Sequence, residues 1–469
     1  MSQTESRKTA EEKIAGFLKF GSHLGLERMT VLMDKLGNPQ DDYDVIHIAG
    51  TNGKGSCARY IYETLLSAGY KAGIYTSPYL ERFNERIEFC REAISDEDLE
   101  ECTDIVLSKV DEMVAEGCDS PTEFEVVTAV CFLYFSRSKC DVAVLEVGLG
   151  GRGDSTNIVK KPLVSVITSI SYDHMDRLGD TIPEIAGEKA GIIKKGCPVV
   201  VSTERAEALK VFRDKALKLD AELIDTRALT EVNVASEGPS GSVFDLAIKG
   251  GRTYRDLGIS MGGRHQVDNA AEAVVALDFL RGKLDISEDD IRAGLKRAVQ
   301  PGRFEVLYSP EKEREPWVII DGAHNSDGAK KLREAMELYF SGKSVLTVTG
   351  ILADKDVQGM LDEITAFSTD MIATEPDNER KLKAYDLAKE IHERGKMVYE
   401  IPKPEDAAAL AMSIGKGYDV ILFSGSLYLI GRIRTILKSH YLRDGDICFS
   451  REDTEDSFTV GVVEEEDDD

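Results

Sequence analysis

The twelve residues Val45-Ile46-His47-Ile48-Ala49-Gly50-Thr51-Asn52-Gly53-Lys54-Gly55-Ser56 combine the means to hold a phosphate. An apolar run reads as a buried strand, the glycines as a tight turn, and the residues from Ser56 onward as a helix. That order aims backbone N–H groups and one lysine at an anion. The glycines permit positive φ and close backbone approach. Lys54 can reach terminal phosphates as a point charge, and the Ser56 hydroxyl can meet Mg²⁺. The spacing departs from a strict P-loop, because only Thr51 and Asn52 separate Gly50 from Gly53 and an extra glycine, Gly55, comes after the lysine. The physics survives the departure. The bland alternative is a tight strand-to-helix turn with a solvated lysine.

Four further groups could do chemistry. Strand Val142–Val147 carries Glu146 in an apolar run and leads into Gly148-Leu149-Gly150-Gly151-Arg152-Gly153-Asp154-Ser155-Thr156-Asn157. A carboxylate in such a strand is costly unless it is paired or bound to a metal. Glu146 is therefore either a hard-cation ligand or a core glutamate held by Arg152 or a backbone amide. Asp173 and His174 come after the next strand, taken as Glu146's neighbour in the sheet, so His174 could ligate a metal or touch a phosphate. Ser77-Pro78 also ends a strand and offers a hydroxyl or a plain turn. Lys189, in Ile185-Ala186-Gly187-Glu188-Lys189-Ala190-Gly191, is on its own terms a snorkelling or ion-paired lysine. The sharper alternative is carbamylation by CO₂, which needs the neutral amine, present in roughly one free lysine in two thousand at pH 7.

Positioning these groups requires strand–helix alternation. Candidate strands are Val45–Ala49, Ala72–Thr76, Val142–Val147, Val164–Ser169 and Pro198–Ser202, short apolar runs suited to parallel strands buried on both faces. The phosphate-loop helix is expected from Ser56 to about Ala68, with Gly69 as its stop. An amphipathic helix and a second near Leu26–Leu36 precede the alternation. Residues 95–140 read as helical, Glu222–Tyr254 as β-like, and His265–Leu280 and Glu288–Ala298 as helices. Gln300-Pro301-Gly302 marks a boundary. Alternation then restarts with Trp317–Ile320, Val345–Thr349, Met371–Thr374, Met397–Tyr399 and Val420–Phe423. The expectation is an ATP-binding domain over 1–300, a smaller α/β domain over 301–443, and a disordered acidic tail over 444–469. A ligand site is expected in the cleft between the two domains. In the second domain, Asp321-Gly322-Ala323-His324-Asn325 and Ser424-Gly425-Ser426 again place polar residues just after strands.

The chain has 469 residues, 42% hydrophobic, with a formal charge of −27. Residues 451–469 hold ten acids and one arginine, a net −9, which leaves −18 for the rest. That balance argues against nucleic acid or an anionic membrane as the main partner. It does not argue against ATP. No membrane-length apolar run or signal-peptide pattern is present. The eight cysteines form no C-x-x-C pair and read as free thiols of a reducing cytoplasm.

With these residues together, the chain resembles the folylpolyglutamate synthase and dihydrofolate synthase family of the Mur ligase superfamily. The resemblance rests on Gly50–Ser56, Thr76-Ser77-Pro78 with Glu85-Arg86-Ile87, Phe124-Glu125, Leu145–Arg152, Asp173-His174, Glu188–Ile192, His265-Gln266 with Asn269-Ala270, Gly302-Arg303 and Asp321–Asn325. It implies an N-terminal P-loop NTPase-like Mur ligase central domain and a smaller C-terminal Rossmann-like domain. It also implies an ATP-dependent ligase that activates a folate carboxylate as an acyl phosphate for attack by L-glutamate, with domain closure excluding water. By the same resemblance, Gly50, Thr51, Asn52, Gly53, Lys54, Gly55 and Ser56 would hold ATP, and Asn269, Arg303 and Asp321 would contact it. Ser77, Glu146 and His174 would bind Mg²⁺, with two ions expected. Lys189 would be carbamylated. Thr122, Glu123, Phe124 and Glu125, with Gly153, Asp154 and Ser155, would lie along the pterin and benzoate. His324, with Ser424 or Ser426, would face glutamate. A monomer in the cytoplasm is expected.

Two positions depart from the family pattern. Tyr79 stands where His is common, and Gly153 where a larger apolar residue is usual. Ser155 leans toward polyglutamylation rather than added dihydrofolate synthase activity. The competing readings are a peptidoglycan Mur-type amino-acid ligase, disfavoured by Gly55, and a non-catalytic nucleotide-binding switch, disfavoured by the absence of Asn-Lys-x-Asp.

Overall fold

The computed structural model describes residues 8–21, 25–310, 315–443, 446–449 and 461–462. The chain divides into two compact units. One comprises Met1–Val234, Phe244–Ile259 and Val267–Ala298; the other comprises Ala235–Val243, Ser260–Gln266 and Val299–Asp469.

The first unit is built on an eight-stranded sheet. Its strands are β1 Asp44–Ala49, β2 Ala72–Tyr75, β3 Ile87–Phe89, β4 Glu92–Ala93, β5 Val142–Glu146, β6 Val164–Ile167, β7 Val199–Val201 and β8 Leu223–Asp225. Their order is β4-β3-β2-β5-β1-β6-β7-β8. From β2 to β8 the pairing is parallel, and the β3–β4 hairpin adds to the β2 edge antiparallel. The central strands are buried along nearly their whole length, which is why they read as continuous apolar runs. β1 lies between β5 and β6, so its C-terminal turn opens at a switch in strand order, where α/β sheets hold ligands. This order corrects one expectation: the strand ends carrying Glu146 and His174 are separated by β1. One core packs Leu32, Val106, Val130 and Phe135 against Val45 and Leu145. Another packs Ile185, Val199 and Phe212 around Ile167.

Several elements differ from the sequence reading. The first helix is short, Ala10–Ala15, closed at Gly16. Residues 95–140 form two helices, Asp96–Ala115 and Glu123–Arg137, because Gly117 takes positive φ and Thr122 caps a new start. The β3–β4 hairpin has no alternating apolar signal. It is held partly by Arg59, whose guanidinium meets Glu88 at 2.8 Å. Within the β-like stretch, β8 joins the large sheet, while β9 Thr230–Gly238, β10 Gly241–Ile248 and β11 Thr253–Ile259 form a sheet of their own.

The second unit carries β12 Glu305–Tyr308, β13 Trp317–Asp321, β14 Val345–Thr349, β15 Asp370–Ala373, β16 Met397–Glu400 and β17 Val420–Ser424. Beyond them lie a hairpin of β18 Leu442–Arg443 and β19 Asp446–Ile447, then β20 Gly461–Val462. The main sheet runs β12-β13-β17-β14-β15-β16-β20, parallel from β13 to β16 with an antiparallel strand at each edge. β12 is absent from the sequence expectation. Apart from β19, residues 446–449 and β20, the 444–469 tail lies outside the described residues, and so does the expectation of its disorder. Among the described residues, no helix is long and apolar enough to cross a membrane.

Candidate active site

Strand β1 delivers the phosphate loop. Gly50 has φ 151°, and a Cβ there would stand 1.8 Å from the Thr168 hydroxyl. Thr168 and Ser169, at the end of β6, donate to the Asn52 carbonyl at 2.7 and 3.0 Å. The Thr51 amide donates to the Ser169 carbonyl at 2.8 Å, and the Thr51 hydroxyl exchanges hydrogen bonds with the Ser171 backbone at 3.2 and 3.1 Å. The loop's shape is therefore set by a strand more than a hundred residues away. Sequence reasoning placed Thr168 and Ser169 inside the strand Val164–Ser169 and missed this role; the strand ends at Ile167, and two consecutive hydroxyls at its end were the available signal.

The helix begins at Lys54, two residues before the expected start, with Gly53 as a left-handed cap at φ 89°. Gly55 is the second residue of this helix, in its first turn. Ser56 is buried in the same turn. A Cβ at Gly53 would come within 2.4 Å of the Asn269 carboxamide, so Asn269 lies directly on the loop. The Lys54 amine donates to the Thr51 carbonyl at 3.0 Å and stands 3.9 Å from a Glu146 carboxylate oxygen.

Glu146 ends β5 and is 5% exposed. Ser77 leaves β2, the neighbouring parallel strand in which Tyr75 pairs with Leu145. The two oxygen donors thus leave adjacent strands at the same end. His174 has φ 49° and heads a short turn, with its imidazole 3.8 Å from Asp173. Among the described residues no three His, Cys, Asp or Glu side chains form a ready metal cluster.

Lys189 ends the helix Ile182–Lys189 and is 4% exposed, with its amine donating to the Gly50 carbonyl at 2.8 Å. The snorkelling alternative is excluded by this burial. The adjacent acid is not its partner either, since Glu188 pairs with Arg152 at 3.3 Å. Burial first, then the Lys54 charge, lower the Lys189 pKa to about 7, against opposing pulls from Asp173 and Asp154. Such an amine is about half neutral at pH 7, roughly a thousand times more than a free lysine.

Close backbone packing puts the amine there. A Cβ at Gly191 would sit 2.3 Å from the Arg152 Cα, and one at Gly151 would sit 2.8 Å from the Glu188 carbonyl. Asn157 ties the two segments by donating to the Arg152 and Gly191 carbonyls at 2.9 and 3.2 Å. Gly191→Ala should therefore cost about 1–3 kcal/mol in urea unfolding, since backbone must shift to admit the methyl. An unchanged midpoint would show that the segments can separate freely.

Thr122 and Glu125 form a capping box. The Glu125 amide donates to the Thr122 hydroxyl at 3.3 Å, and the Glu125 carboxylate accepts from the Thr122 amide and hydroxyl at 2.8 and 2.9 Å and from Arg28 at 3.0 Å. Glu123 pairs with Arg86 at 2.7 Å, and Arg86 lies over the Tyr79 and Phe83 rings. Glu125 Oε2 takes all of the Thr122 and Arg28 donors, while its Oε1 is buried with no hydrogen-bond partner among the described residues; Phe124 supplies an apolar face. Its ring lies against Gly148, where a Cβ would approach within 2.4 Å. The loop leaving Gly148 carries Gly153, Asp154 and Ser155. Asp154 is buried and accepts from the Leu149 amide at 2.9 Å and the Thr156 amide at 3.0 Å. Burial raises its pKa, opposed by these donors and the Thr156 hydroxyl.

In the second unit, Asp321 and Ser424 are register partners at the ends of β13 and β17. The Asp321 carboxylate accepts from the Phe304 and Ala323 amides at 2.8 and 2.9 Å, and burial raises its pKa against the pull of Arg303. Arg303 donates to the Gly322 carbonyl at 3.3 Å, and His324 Nδ1 lies 2.8 Å from the same oxygen. The Ser424 hydroxyl is buried with no hydrogen-bond partner among the described residues. Ser426 caps the helix Leu427–Ile436.

Two family models match the chain: the Mur ligase middle domain over residues 48–277, and the Mur ligase, glutamate ligase domain over 302–427. The dihydrofolate synthase/folylpolyglutamate synthase of Bacillus subtilis is 39% identical over 432 residues, 92% of this chain and 98% of that one. Mycobacterium tuberculosis folylpolyglutamate synthase complexed with ADP superposes with a TM-score of 0.82 at 31% identity, covering 91% of this chain and 98% of that one. E. coli FolC in complex with DHPP and ADP gives 0.81 at 30% identity, covering 94% and 99%. The chain belongs to the folylpolyglutamate synthase/dihydrofolate synthase family, two-domain ATP-dependent ligases of the Mur type.

Proposed function

We propose that the chain joins L-glutamate to the free carboxyl of a reduced folate at the expense of ATP. A folate carboxylate oxygen attacks the γ-phosphorus, ADP leaves, and an acyl phosphate forms. The neutral glutamate amine adds to the acyl carbon; the tetrahedral adduct loses a proton and expels inorganic phosphate, leaving the amide. Phosphoryl transfer needs positioning and charge neutralisation more than covalent help. The Gly53–Ser56 amides cradle the triphosphate, Lys54 offsets charge on its terminal phosphate, and Asn269 touches the nucleotide. The observation that carries this reading is the arrangement on the loop itself: Lys54 between Thr51 and Glu146, and the buried Lys189 amine on Gly50.

Glu146 and Ser77 are oxygen donors on adjacent strand ends and suit Mg²⁺, with His174 as a further ligand. The ion would supply positive charge to the phosphate oxygens. Carbamylation would turn the Lys189 cation into a carboxylate, and its depressed pKa favours that reaction. We assign Phe124 and Gly153–Ser155 to the folate, and His324 with Ser424 or Ser426 to glutamate. The free cysteines fit a reducing cytoplasm, and a monomer remains our expectation.

Ser155 leans toward tetrahydrofolate as acceptor. The B. subtilis relative, named for both activities, favours dihydropteroate as a second one. Purified protein given ATP, Mg²⁺, glutamate and either acceptor in separate tubes should yield a product heavier by one glutamyl residue with tetrahydrofolate. Addition to dihydropteroate as well would establish the bifunctional enzyme. No addition in either tube would overturn the proposal.

A further inference from the structure

His47 is the one polar residue in the apolar stretch Val45–Ala49, three positions before the phosphate loop, and it is fully buried. It shares a face of β1 with Val45, and both faces of that strand are buried, so an apolar residue would serve packing better. Its Nε2 is 2.8 Å from the Thr156 hydroxyl. That hydroxyl is in turn 2.5 Å from Asp154 Oδ1. Asp154 already takes backbone donors on both oxygens, so it is the acceptor of the Thr156 proton. A hydroxyl has one proton to give, so Thr156 accepts from His47 Nε2–H. This order also leaves Nδ1 as a bare lone pair, and that atom is buried without a partner among the described residues. Burial, with help from the Lys194 charge, lowers the His47 pKa to about 3, so the ring stays neutral across the working range.

We propose that His47 is a positioning residue for the folate-side loop, acting through Thr156 and Asp154 to hold Gly153–Ser155 against the strand that feeds the ATP loop. This rests on the assignment of that loop to the folate. Asp154 gathers the turn from Leu149 to Thr156 around one carboxylate, and His47 anchors that carboxylate's hydroxyl partner to the centre of the sheet. The consequence is selective. Losing the anchor loosens the folate wall, while the Gly50–Lys54 turn keeps its own ties to Thr168, Ser169 and Ser171.

The test is steady-state kinetics on the full chain. His47→Leu removes the donor at similar volume and should raise the KM for tetrahydrofolate about tenfold, the scale of one lost buried hydrogen bond, with the KM for ATP within twofold. His47→Gln, whose amide nitrogen reaches close to the place of Nε2, should recover most of the loss. Thr156→Val should reproduce the effect, and the double variant should be no worse than either single one. If His47→Leu does not accumulate as folded protein, Thr156→Val and His47→Gln carry the test. A merely structural role would instead lower the melting temperature and active fraction, and would leave the folate KM in place. An unmoved folate KM, or equal shifts for ATP and folate, overturns the proposal. Ser155→Tyr separates the two levels. If it leaves folate binding unchanged, the loop assignment fails and the His47 proposal falls with it. If it weakens folate binding while His47→Leu and Thr156→Val do not, only the His47 proposal fails.

Discussion

Replacing Lys189 by alanine should lower kcat by about a thousandfold or more, on the order of 4 kcal/mol in the barrier, while the protein still folds. The amine is buried beside Gly50 and faces the Lys54 charge, so as a cation it would add positive charge that Asp173 and Asp154 offset only in part. As a carbamate it would instead be a carboxylate facing the Lys54 charge. Wild-type activity should fall in bicarbonate-depleted buffer and return with added bicarbonate. Small carboxylic acids should partly restore the alanine variant. The pH dependence has a definite sign. The neutral, reactive fraction grows as pH rises through about 7, so bicarbonate activation should be stronger at pH 8 than at pH 6. The same shift affects folding. Between about 7 and the unfolded value near 10.4, the unfolded chain holds a proton that the folded amine lacks, so this group's contribution to stability rises with pH there and is lost as pH falls toward 7. Full activity of Lys189→Ala would show that no carbamate is needed.

Lys54→Met should reduce kcat/KM for ATP by about a thousandfold, because the terminal phosphate we assign to Lys54 would lose its point charge. The variant has two further consequences. Glu146, 3.9 Å away and nearly buried, loses a cationic neighbour. Lys189 loses a charge that depresses its pKa, so it holds its proton more tightly and accepts CO₂ less readily. Bicarbonate titration of Lys54→Met should therefore need a higher pH than wild type for the same carbamate signal in ¹³C NMR. ATP kinetics within threefold of wild type would remove Lys54 from phosphate binding. An unchanged carbamate profile would remove the coupling between the lysines.

Much of the sheet was legible because a strand buried on both faces must be mostly apolar, and β1, β5, β6 and β17 are, with His47, Glu146, Ser165 and Ser424 as their buried polar exceptions. Less legible were strands stabilised by neighbours rather than by their own composition. β3 and β4 carry Glu88 and Glu92 and depend on pairing to β2 and on Arg59. β12 likewise depends on β13. The capping role of Thr122 and Glu125 is readable in the Thr-x-x-Glu spacing, although the same two polar residues also suit substrate contact.

The sequence by itself determined the phosphate loop, the strand-end carboxylate, the family and hence the class of reaction, because these depend on residue type and local spacing. Tertiary structure decided the state of those residues. Lys189 becomes a half-neutral amine only because Gly151 and Gly191 let two backbones close over it and chain 139 positions away supplies Gly50. Sheet order, not chain order, separates the Glu146 and His174 strands by β1. His47 takes on meaning only when the fold brings Thr156, 109 positions later, to its ring. Burial and charge at a site are sums over neighbours in space, and local spacing does not contain them.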